Sequence, residues 1–516
     1  MSLHRRAHWL GVVVLLAWCV LYTWPALQAP FIGTDDHYSN LLPIIHYRAS
    51  LLQEHTLPLE TALWYGGRAQ WQNPLWSFLY LPATAGWLLL PIDWAARVVI
   101  AGHFVAAALL ARWLAALFLD HEFERVCAAL LLIAPISVSL QLGHWEKTLA
   151  WPWILLGLRC VLDARWSNVR RGLGAGVCLG VVALTGANYY VLYAAILFAS
   201  LALAVSGNTF IGLAGASLIG LLHLPSVAFL IGQPRSVAAS IGIHSLSPLQ
   251  IAQVLFVGWA DPAYVALEGF SVVGAALLIG VVLYVLRPLA RGQVAREARR
   301  LMVAALSAIL ILLLLASGAA YQGHNLLNTF RVPARAMAFV ALALVLLVLI
   351  GMRATGQTDT RRRWRASLLG LAALQTLVVA WLFRPMGSPH WIEDSGALAL
   401  ARELKAIGAQ SVWLNAKPGE MLTAVALNLE GIALPNVYYG DMHQTIPVSG
   451  PYCGYSFDYV LVTPEHVNGS RYELYSDITP NPFLGSVAFE RLQFVRSAQV
   501  LDRVWDVYRV VCPDQP

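Results

Sequence analysis

Two adjacent carboxylates, Asp35 and Asp36, follow the first long apolar run, and His37 comes directly after them. Carboxylates beside an imidazole can take a proton from a hydroxyl group, and Asp36 is a candidate ligand for a divalent cation, Mg²⁺ or Mn²⁺. Thr34 or Asp35 can also cap a helix running to about Glu54. Taken alone, the pair favours the cap, but a capping Asp can still present a carboxylate outward.

A second group of ionisable residues, His144, Glu146 and Lys147, lies in a short turn between two apolar runs. Burying such residues beside a membrane costs desolvation energy unless they face a polar cavity. Glu146 is therefore a candidate acid, and His144 and Lys147 are candidate substrate-binding residues. A solvated loop whose charges meet lipid headgroups is the equally weighted alternative.

A third group lies late in the chain, where His324 and Asn325 precede Arg331, Pro333 and Arg335. Proline suits the first turn of a helix, and residues four apart share a helix face. The two arginines would then flank a helix N-terminus, which is a suitable arrangement for holding a phosphate. Anchoring to lipid headgroups is the alternative.

A fourth stretch combines aromatic rings, amides and glycines, with Trp64, Tyr65 and Asn73 as its candidate binding residues. Aromatic faces can stack on sugar rings. They also anchor helices at a membrane interface, and the residues alone favour that role.

The composition of the chain indicates that these residues belong to a membrane protein. The chain has 516 residues, of which 58% are hydrophobic and only 12% are charged. Apolar runs of about 16 residues or more recur along it, with Trp and Tyr at many of their ends, as in membrane helices. The net charge of +6 resides largely in arginines of short loops. We therefore interpret the charge as a determinant of topology and not as affinity for nucleic acid.

About eleven membrane spans are predicted from these runs. The candidate spans are 9–24, 97–118, 126–142, 148–163, 172–187, 189–205, 208–231, 269–287, 301–320, 335–351 and 366–383. Arginine clusters mark the cytoplasmic side. They are Arg5 with Arg6, Arg165 with Arg170 and Arg171, the run from Arg287 to Arg300, and Arg353 with Arg361, Arg362, Arg363 and Arg365.

The apolar run 75–92 is the doubtful case. Counting it as a span would place Arg165 outside, and it contains Pro82 and Pro91. We predict an interfacial or re-entrant segment instead. The acidic loop Asp120–Arg125 then faces the cytoplasm without support from the positive-inside rule, although acidic residues contribute little to topology.

The N-terminus is predicted to be cytoplasmic, and the tail after 384 extracytoplasmic. Residues 1–384 are expected to form the membrane domain, with an external loop 25–96, and residues 385–516 a small α/β domain. Its predicted elements are a helix at Ala397–Ile407 and strands at Ser411–Leu414, Tyr459–Val462 and Val504–Val511. Cys453 and Cys512 can pair there if the domain is outside the cytoplasm, or stay free.

The layout resembles the GT-C superfamily of membrane glycosyltransferases. Three stretches, LWYGGRAQWQNPLWSFLYLP, GHWEKTLAWPWILLGL and NTFRVPARAMAFVALAL, resemble the bacterial YfhO-type proteins of this superfamily. The resemblance covers roughly residues 1–385. It implies an all-α polytopic membrane bundle with a small α/β extracytoplasmic domain, in a bacterial inner membrane.

The resemblance also implies roles for particular residues. Asp35 and Asp36 match the acidic motif of the first external loop, and Glu146 matches the acidic position of the second external turn. Arg331 and Arg335 match late-loop residues that can engage a donor phosphate. The Asp-Asp-His sequence departs from the usual Asp-Glu or Gly-Asp, which leaves open which Asp is the base and whether a metal is needed.

The expected activity is sugar transfer from a polyprenyl-phosphate-linked donor to an extracytoplasmic glycan, lipid or protein acceptor. Two other classes compete with it: a transporter or flippase of a lipid-linked saccharide, and a non-catalytic scaffold of envelope-glycan assembly. Transporters often have polar groups near the middle of the membrane and repeated halves. Neither feature is visible in the sequence, which favours the enzyme.

Overall fold

The computed structural model describes residues 3–28, 47–48, 50–52, 55, 60–61, 68–69, 79–141, 145–223, 245–257, 274–319, 333–355, 359–382, 396–414, 423, 426–427, 430–432, 458–462, 492–500 and 503–510. The chain divides into two compact units. The first comprises Met1–Gln28, Ser77–Gly232 and Val237–Gly387, and the second comprises Ala29–Trp76, Gln233–Ser236 and Ser388–Pro516. The domain boundary predicted at 384 stays a prediction.

The first unit is built from helices. In chain order they are α1 (Leu3–Gln28), α2 (Leu81–Leu89), α3 (Ile92–Ala115), α4 (Glu122–Gln141), α5 (Trp145–Leu162), α6 (Asn168–Leu184), α7 (Asn188–Val205), α8 (Gly207–Ser217), α9 (Pro248–Val257), α10 (Gly274–Val281), α11 (Arg296–Ala316), α12 (Met337–Ala354) and α13 (Asp359–Leu382). A 3₁₀ turn, Leu218–His223, extends α8; a π turn, Val282–Leu286, and a last turn, Arg287–Ala290, extend α10; a 3₁₀ turn, Pro333–Ala336, precedes α12.

Each of the predicted spans overlaps one of these helices. Among the described residues, 6 helices are long and apolar enough to cross a membrane: α1, α3, α7, α11, α12 and α13. Of the others, α5 carries Glu146 and Lys147 in its first turn and Arg159 in its last, while α6 and α8 are shorter. The unit is a multi-pass helical membrane bundle, as predicted.

Exposed tryptophans mark the thickness of the bundle. They occur in pairs near opposite ends of three helices, as Trp9 and Trp24 on α1, Trp94 and Trp113 on α3, and Trp364 and Trp381 on α13. At a rise of about 1.5 Å per residue these pairs are separated by about 23, 29 and 26 Å. The hydrocarbon core of a bilayer is about 30 Å thick, and tryptophan favours its two interfaces.

Ion pairs join several helices at one end of the bundle, which we call the arginine-rich end. Arg112 at the end of α3 pairs with Glu122 at the start of α4 and hydrogen-bonds His8 of α1. Arg365 of α13 makes two hydrogen bonds of 2.8 Å to Glu124, and both side chains are buried. The acidic loop that the positive-inside rule left unexplained therefore supplies partners for arginines.

A second ion-pair cluster at the arginine-rich end surrounds Asp163, which follows α5. Its carboxylate accepts hydrogen bonds from Arg165 and pairs with Arg159 at 3.3 Å. Arg159 also donates to the backbone oxygen of Trp113 and lies 3.8 Å above that indole ring. The ends of α3 and α5 are held together here.

Helix α2 runs back along α3 as one arm of a hairpin. Tyr80, just before α2, hydrogen-bonds His103, which lies eleven residues into α3, and Gly86 packs against Val99. The two helices are therefore antiparallel. His103 lies about 16 Å along α3 from its first residue, so the start of α2 is level with that point. Nine residues are too few to cross a bilayer, so α2 alone is not a span. The interfacial or re-entrant placement of 75–92 stays a prediction.

Helices α6 and α8 pack closely through glycines four residues apart. A Cβ atom on Gly172 would meet the backbone oxygen of Thr209, and one on Gly176 would lie 2.5 Å from the backbone oxygen of Leu213. The paired residue numbers rise together, so the two helices run parallel. Small residues allow such backbone contact in membranes, where no hydrophobic effect drives helices together.

Helix α12 is the centre of the bundle. Of the apolar stretch Pro333–Ala354, 94% is buried, compared with 28% for Arg6–Trp24 of α1. Helices α4, α10 and α11 pack around it. Leucine, alanine and valine make up most of the sequence of α12 because it has no polar face to present.

The second unit contains helix α14 (Ala397–Ala406) and strands β1 (Glu60–Thr61), β2 (Arg68–Ala69), β3 (Val412–Leu414), β4 (Tyr459–Val462), β5 (Leu492–Val500) and β6 (Arg503–Val510). The larger sheet has the order β3-β4-β6-β5, in which β3 and β4 are parallel and the other pairs are antiparallel. Leu404 of α14 and Trp505 of β6 are among its buried side chains. The predicted small α/β fold is confirmed, and β5 is an additional strand.

Candidate active site

The first turn of α5 positions Glu146 and Lys147 at the end opposite to the arginine-rich end. An acidic side chain is favoured there because the N-terminus of a helix carries partial positive charge. Lys147 is 3% exposed, whereas Glu146 is half-buried. The two side chains are about 100° apart around the helix, so they lie on different sides of α5.

Arg335 lies in the 3₁₀ turn before α12. Its guanidinium sits 4.5 Å from the ring centre of Tyr189, in the first turn of α7. A cation at this distance from an aromatic face is attracted by the ring quadrupole. The pair joins the N-terminal ends of α7 and α12.

A cluster of aromatic rings lies one helical turn deeper. Phe339 contacts Tyr190 with ring centres 5.0 Å apart, and Tyr193 and Trp151 at 5.6 Å each. Phe339 follows Arg335 by four residues, and Trp151 follows Lys147 by four. Residues four apart lie above one another on an α-helix, so Lys147 lies one turn above Trp151. Arg335 contacts Tyr189, the neighbour of Tyr190 in the chain, so both cations lie above the same cluster.

A proline-associated hydrogen bond fixes the Trp151 ring. Pro135 lies inside α4 and cannot donate to the carbonyl of Leu131, which opens the helix at this level. The adjacent carbonyl of Leu132 accepts a 2.9 Å hydrogen bond from Trp151 Nε1. The indole therefore has a fixed orientation beneath Lys147.

A further buried cation, Arg97, lies near the same end in α3. It is 8% exposed, and its guanidinium lies 5.1 Å from the ring centre of Trp94. Phe104, seven residues later on the same face, stacks on Tyr22 of α1 at 5.3 Å. Arg97 therefore lies on the face of α3 that packs against α1.

Of the predicted site residues, Glu146, Lys147 and Arg335 lie within the described part of the chain; Lys147 and Arg335 lie above the same aromatic cluster, whereas Glu146 lies on another side of α5. The other predicted residues lie outside the described part of the chain; they are Asp35, Asp36, His37, Trp64, Tyr65, Asn73, His144, His324, Asn325 and Arg331. Within the described residues, no group of three His, Cys, Asp or Glu side chains is arranged to hold a metal ion. The divalent cation at Asp36 stays a prediction.

Sequence reasoning missed the aromatic partners Trp151, Tyr189, Tyr190 and Phe339. A signal was available for two of them, because Trp151 and Phe339 each follow a predicted cation by four residues. Tyr189 and Tyr190 carried no such signal, since their role depends on packing between helices distant in sequence.

The sequence matches no protein-family model and no curated protein. Among solved structures, the chain is similar to the arabinofuranosyltransferase AftD from Mycobacteria, with a TM-score of 0.54 and 16% identity, over 98% of this chain and 40% of AftD. A mutant form of AftD gives a TM-score of 0.54 and 15% identity, over 100% of this chain and 42% of that one. The chain thus spans about two fifths of the length of AftD.

The oligosaccharyltransferase of Archaeoglobus fulgidus in its apo form gives a TM-score of 0.48 and 15% identity, over 89% of this chain and 70% of that chain. That score is too low to support an argument. The likeness to AftD confirms the predicted GT-C-like membrane fold, and at 16% identity it shows the fold alone.

Proposed function

We propose that this protein is a GT-C-type glycosyltransferase that moves a sugar from a polyprenyl-phosphate-linked donor to an extracytoplasmic glycan, lipid or protein. The single observation that carries the proposal is the placement of Lys147 and Arg335 one turn above shared aromatic rings, at the N-terminal ends of α5, α7 and α12. The fold, shared with a solved arabinofuranosyltransferase, supports it. The closer resemblance to YfhO-type proteins is part of the proposal.

The donor phosphate is the group that this arrangement suits. Helix N-termini and cationic side chains both favour an anion, and their effects add. The donor's lipid tail stays in the bilayer, so its phosphate lies at headgroup depth. Exposed Trp24, Trp94 and Trp381 mark that depth at the same end of the bundle.

A carboxylate takes the proton of the acceptor hydroxyl in the proposed reaction. Asp35, Asp36 and Glu146 are the candidate bases. The oxygen attacks the anomeric carbon as the bond to the phosphate breaks, and Lys147 and Arg335 stabilise the charge that develops on the departing phosphate. Direct displacement inverts the anomeric centre. This end of the bundle is accordingly placed outside the cytoplasm, in a bacterial inner membrane.

Donor binding is tested with farnesyl phosphate, a short polyprenyl phosphate, and the full chain in lipid nanodiscs. Lys147→Met and Arg335→Met should each weaken binding by about tenfold, because each removes a charge-assisted contact worth about 1.5 kcal/mol. Arg363→Met, an exposed arginine of α13, is the matched control and should bind normally. Unchanged affinity in both site variants would refute the phosphate assignment.

Catalysis is tested by following release of farnesyl phosphate from farnesyl-phosphoryl arabinofuranose, mannose and glucose, with bacterial membrane glycolipids as acceptors. Replacing the base should lower the rate by about a hundredfold or more while leaving farnesyl phosphate binding intact. Asp35→Asn, Asp36→Asn and Glu146→Gln identify which carboxylate it is. Full activity in all three contradicts the mechanism, and movement of the saccharide lipid across the bilayer without transfer would identify a flippase.

A further inference from the structure

A chain of three hydrogen bonds connects α2, α3 and α5 on the side of α5 opposite to Trp151. Trp153 Nε1 donates to the Tyr80 hydroxyl oxygen at 2.8 Å. That oxygen lies 2.6 Å from His103 Nε2, and His103 Nδ1 lies 2.6 Å from the backbone oxygen of Val99. Tyr80 is 3% exposed, so water does not replace these bonds.

The direction of each bond follows from the groups that can donate. The Val99 carbonyl can only accept, so His103 Nδ1 carries a proton. The neutral ring then accepts at Nε2 from the Tyr80 hydroxyl, whose oxygen accepts from Trp153. A protonated ring would donate from Nε2 as well, and the Tyr80 O–H would lose this acceptor.

Two indoles therefore fix the rotation of α5 from opposite sides. Trp151 donates to α4, while Trp153, two residues and about 200° further around the helix, donates to the α2–α3 hairpin. Helix α5 is continuous from Trp145 to Leu162 through Pro152, so Glu146, seven residues before Trp153, lies on the same side of the helix. The rotation fixed at Trp153 sets the direction of Glu146, two turns closer to the membrane surface.

We propose that Tyr80, His103 and Trp153 are positioning residues, which lock helix α2 against α3 and α5 and thereby orient Glu146 for the reaction. The locking of α2 stands on the hydrogen bonds alone. The orientation of Glu146 rests on the proposed function. The two parts have separate measurements.

The lock is measured by hydrogen–deuterium exchange of peptides covering residues 79–90, with the full chain in nanodiscs. Tyr80→Phe and His103→Leu should speed exchange in α2 by about fivefold to tenfold, because each removes a buried hydrogen bond. His103→Gln offers a side-chain oxygen to the Tyr80 hydroxyl and should retain most of the protection. Tyr284→Phe removes another buried hydroxyl, at the arginine-rich end, and should leave α2 unchanged.

Exchange in α2 that is unchanged in Tyr80→Phe and His103→Leu would overturn the lock. Equal acceleration in His103→Gln and His103→Leu would overturn the acceptor role of His103. Neither result depends on catalysis, so both are interpretable even if the chain is not a glycosyltransferase.

The positioning role is tested by measuring kcat and the donor KM separately in the farnesyl-phosphoryl sugar assay. Rates are divided by the concentration of folded protein. Tyr80→Phe and His103→Leu should lower kcat by about tenfold with the donor KM within twofold, and His103→Gln should restore kcat. A lower melting temperature with unchanged kcat would overturn positioning in favour of a structural role. Activity that survives Glu146→Gln would overturn it too, because the oriented group would then be dispensable.

Discussion

Within the described residues, the two ends of the membrane bundle show different interactions. At the arginine-rich end, carboxylates and guanidinium groups pair directly, as Glu124 does with Arg365 and Asp163 with Arg165. At the opposite end, Arg335 lies against an aromatic ring, and aromatic rings and indole hydrogen bonds support the helix starts. Among the described contacts, ion pairs such as Glu124 with Arg365 join helices at the first end, and aromatic contacts and indole hydrogen bonds join helices at the second.

This contrast separates stability from function. A buried ion pair stabilises little in net terms, but removing one partner is costly because the other charge stays buried. The aromatic cluster stabilises the fold through its buried apolar area, and the geometry of its rings positions the groups above them. Altering one ring therefore shifts those groups by small distances. Substitutions at the two ends should therefore change different measured quantities.

The largest effect is expected from Glu124→Gln at the arginine-rich end. Arg365 is 3% exposed and would keep its charge without the carboxylate, so the free energy of unfolding should fall by about 3–5 kcal/mol. Chemical denaturation in detergent micelles measures the loss. Arg363→Met, two residues away but exposed, is the matched control and should change stability by less than about 0.5 kcal/mol.

Farnesyl phosphate affinity, measured on the folded fraction of Glu124→Gln, should stay at the wild-type value. A large change in that affinity would break the comparison, because it would show that the two ends are coupled.

A smaller loss of stability with a larger effect on binding is expected from Trp151→Phe. The variant keeps a ring but loses the hydrogen bond to Leu132 and part of the buried volume, at a cost of about 2 kcal/mol. Lys147, one turn above, would lose its fixed support, so farnesyl phosphate affinity should fall severalfold. Unchanged affinity would mean that the aromatic cluster is ordinary core.

Much of this fold was predictable from the sequence because the membrane imposes simple rules. Long apolar runs gave the helices, and the prolines of 75–92 indicated that this segment does not cross the bilayer. Strand β5 was missed because the predicted strands were alternating or buried runs. In β5 the apolar Phe494 and Val495 are adjacent and exposed, and a bulge between Phe494 and Arg496 interrupts the period of two.

The candidate site was predictable only in part, for a physical reason. Charges near a helix start, such as Glu146 and Lys147, are visible in sequence because the membrane makes them conspicuous. The cluster of Phe339 with Trp151 and Tyr190, and the bond between Tyr80 and His103, join helices far apart in the chain. Local periodicity carries no information on which distant helices meet.

The last expected effect depends on pH and comes from protonating Asp163 at the arginine-rich end, in the loop after α5. Hydrogen bonds from Arg165 are the main cause that lowers the pKa of Asp163 from 3.8 to about 2, against the opposing effect of burial. Because the folded pKa lies below the unfolded value, the stabilisation is fully present above about pH 4 and is lost as pH falls towards 2.

Arg165 is 71% exposed, so solvent screens its pair with Asp163, and this pair contributes about 1 kcal/mol. Arg159 is buried and also loses its partner, which adds to the loss. Thermal unfolding of the wild type and Asp163→Asn should therefore differ by a constant amount between pH 7 and 4 and converge below pH 4. Farnesyl phosphate affinity at pH 7 should be equal in the two proteins. A stability difference that instead persists unchanged to pH 2 would mean that the carboxylate charge of Asp163 does not stabilise this end of the bundle.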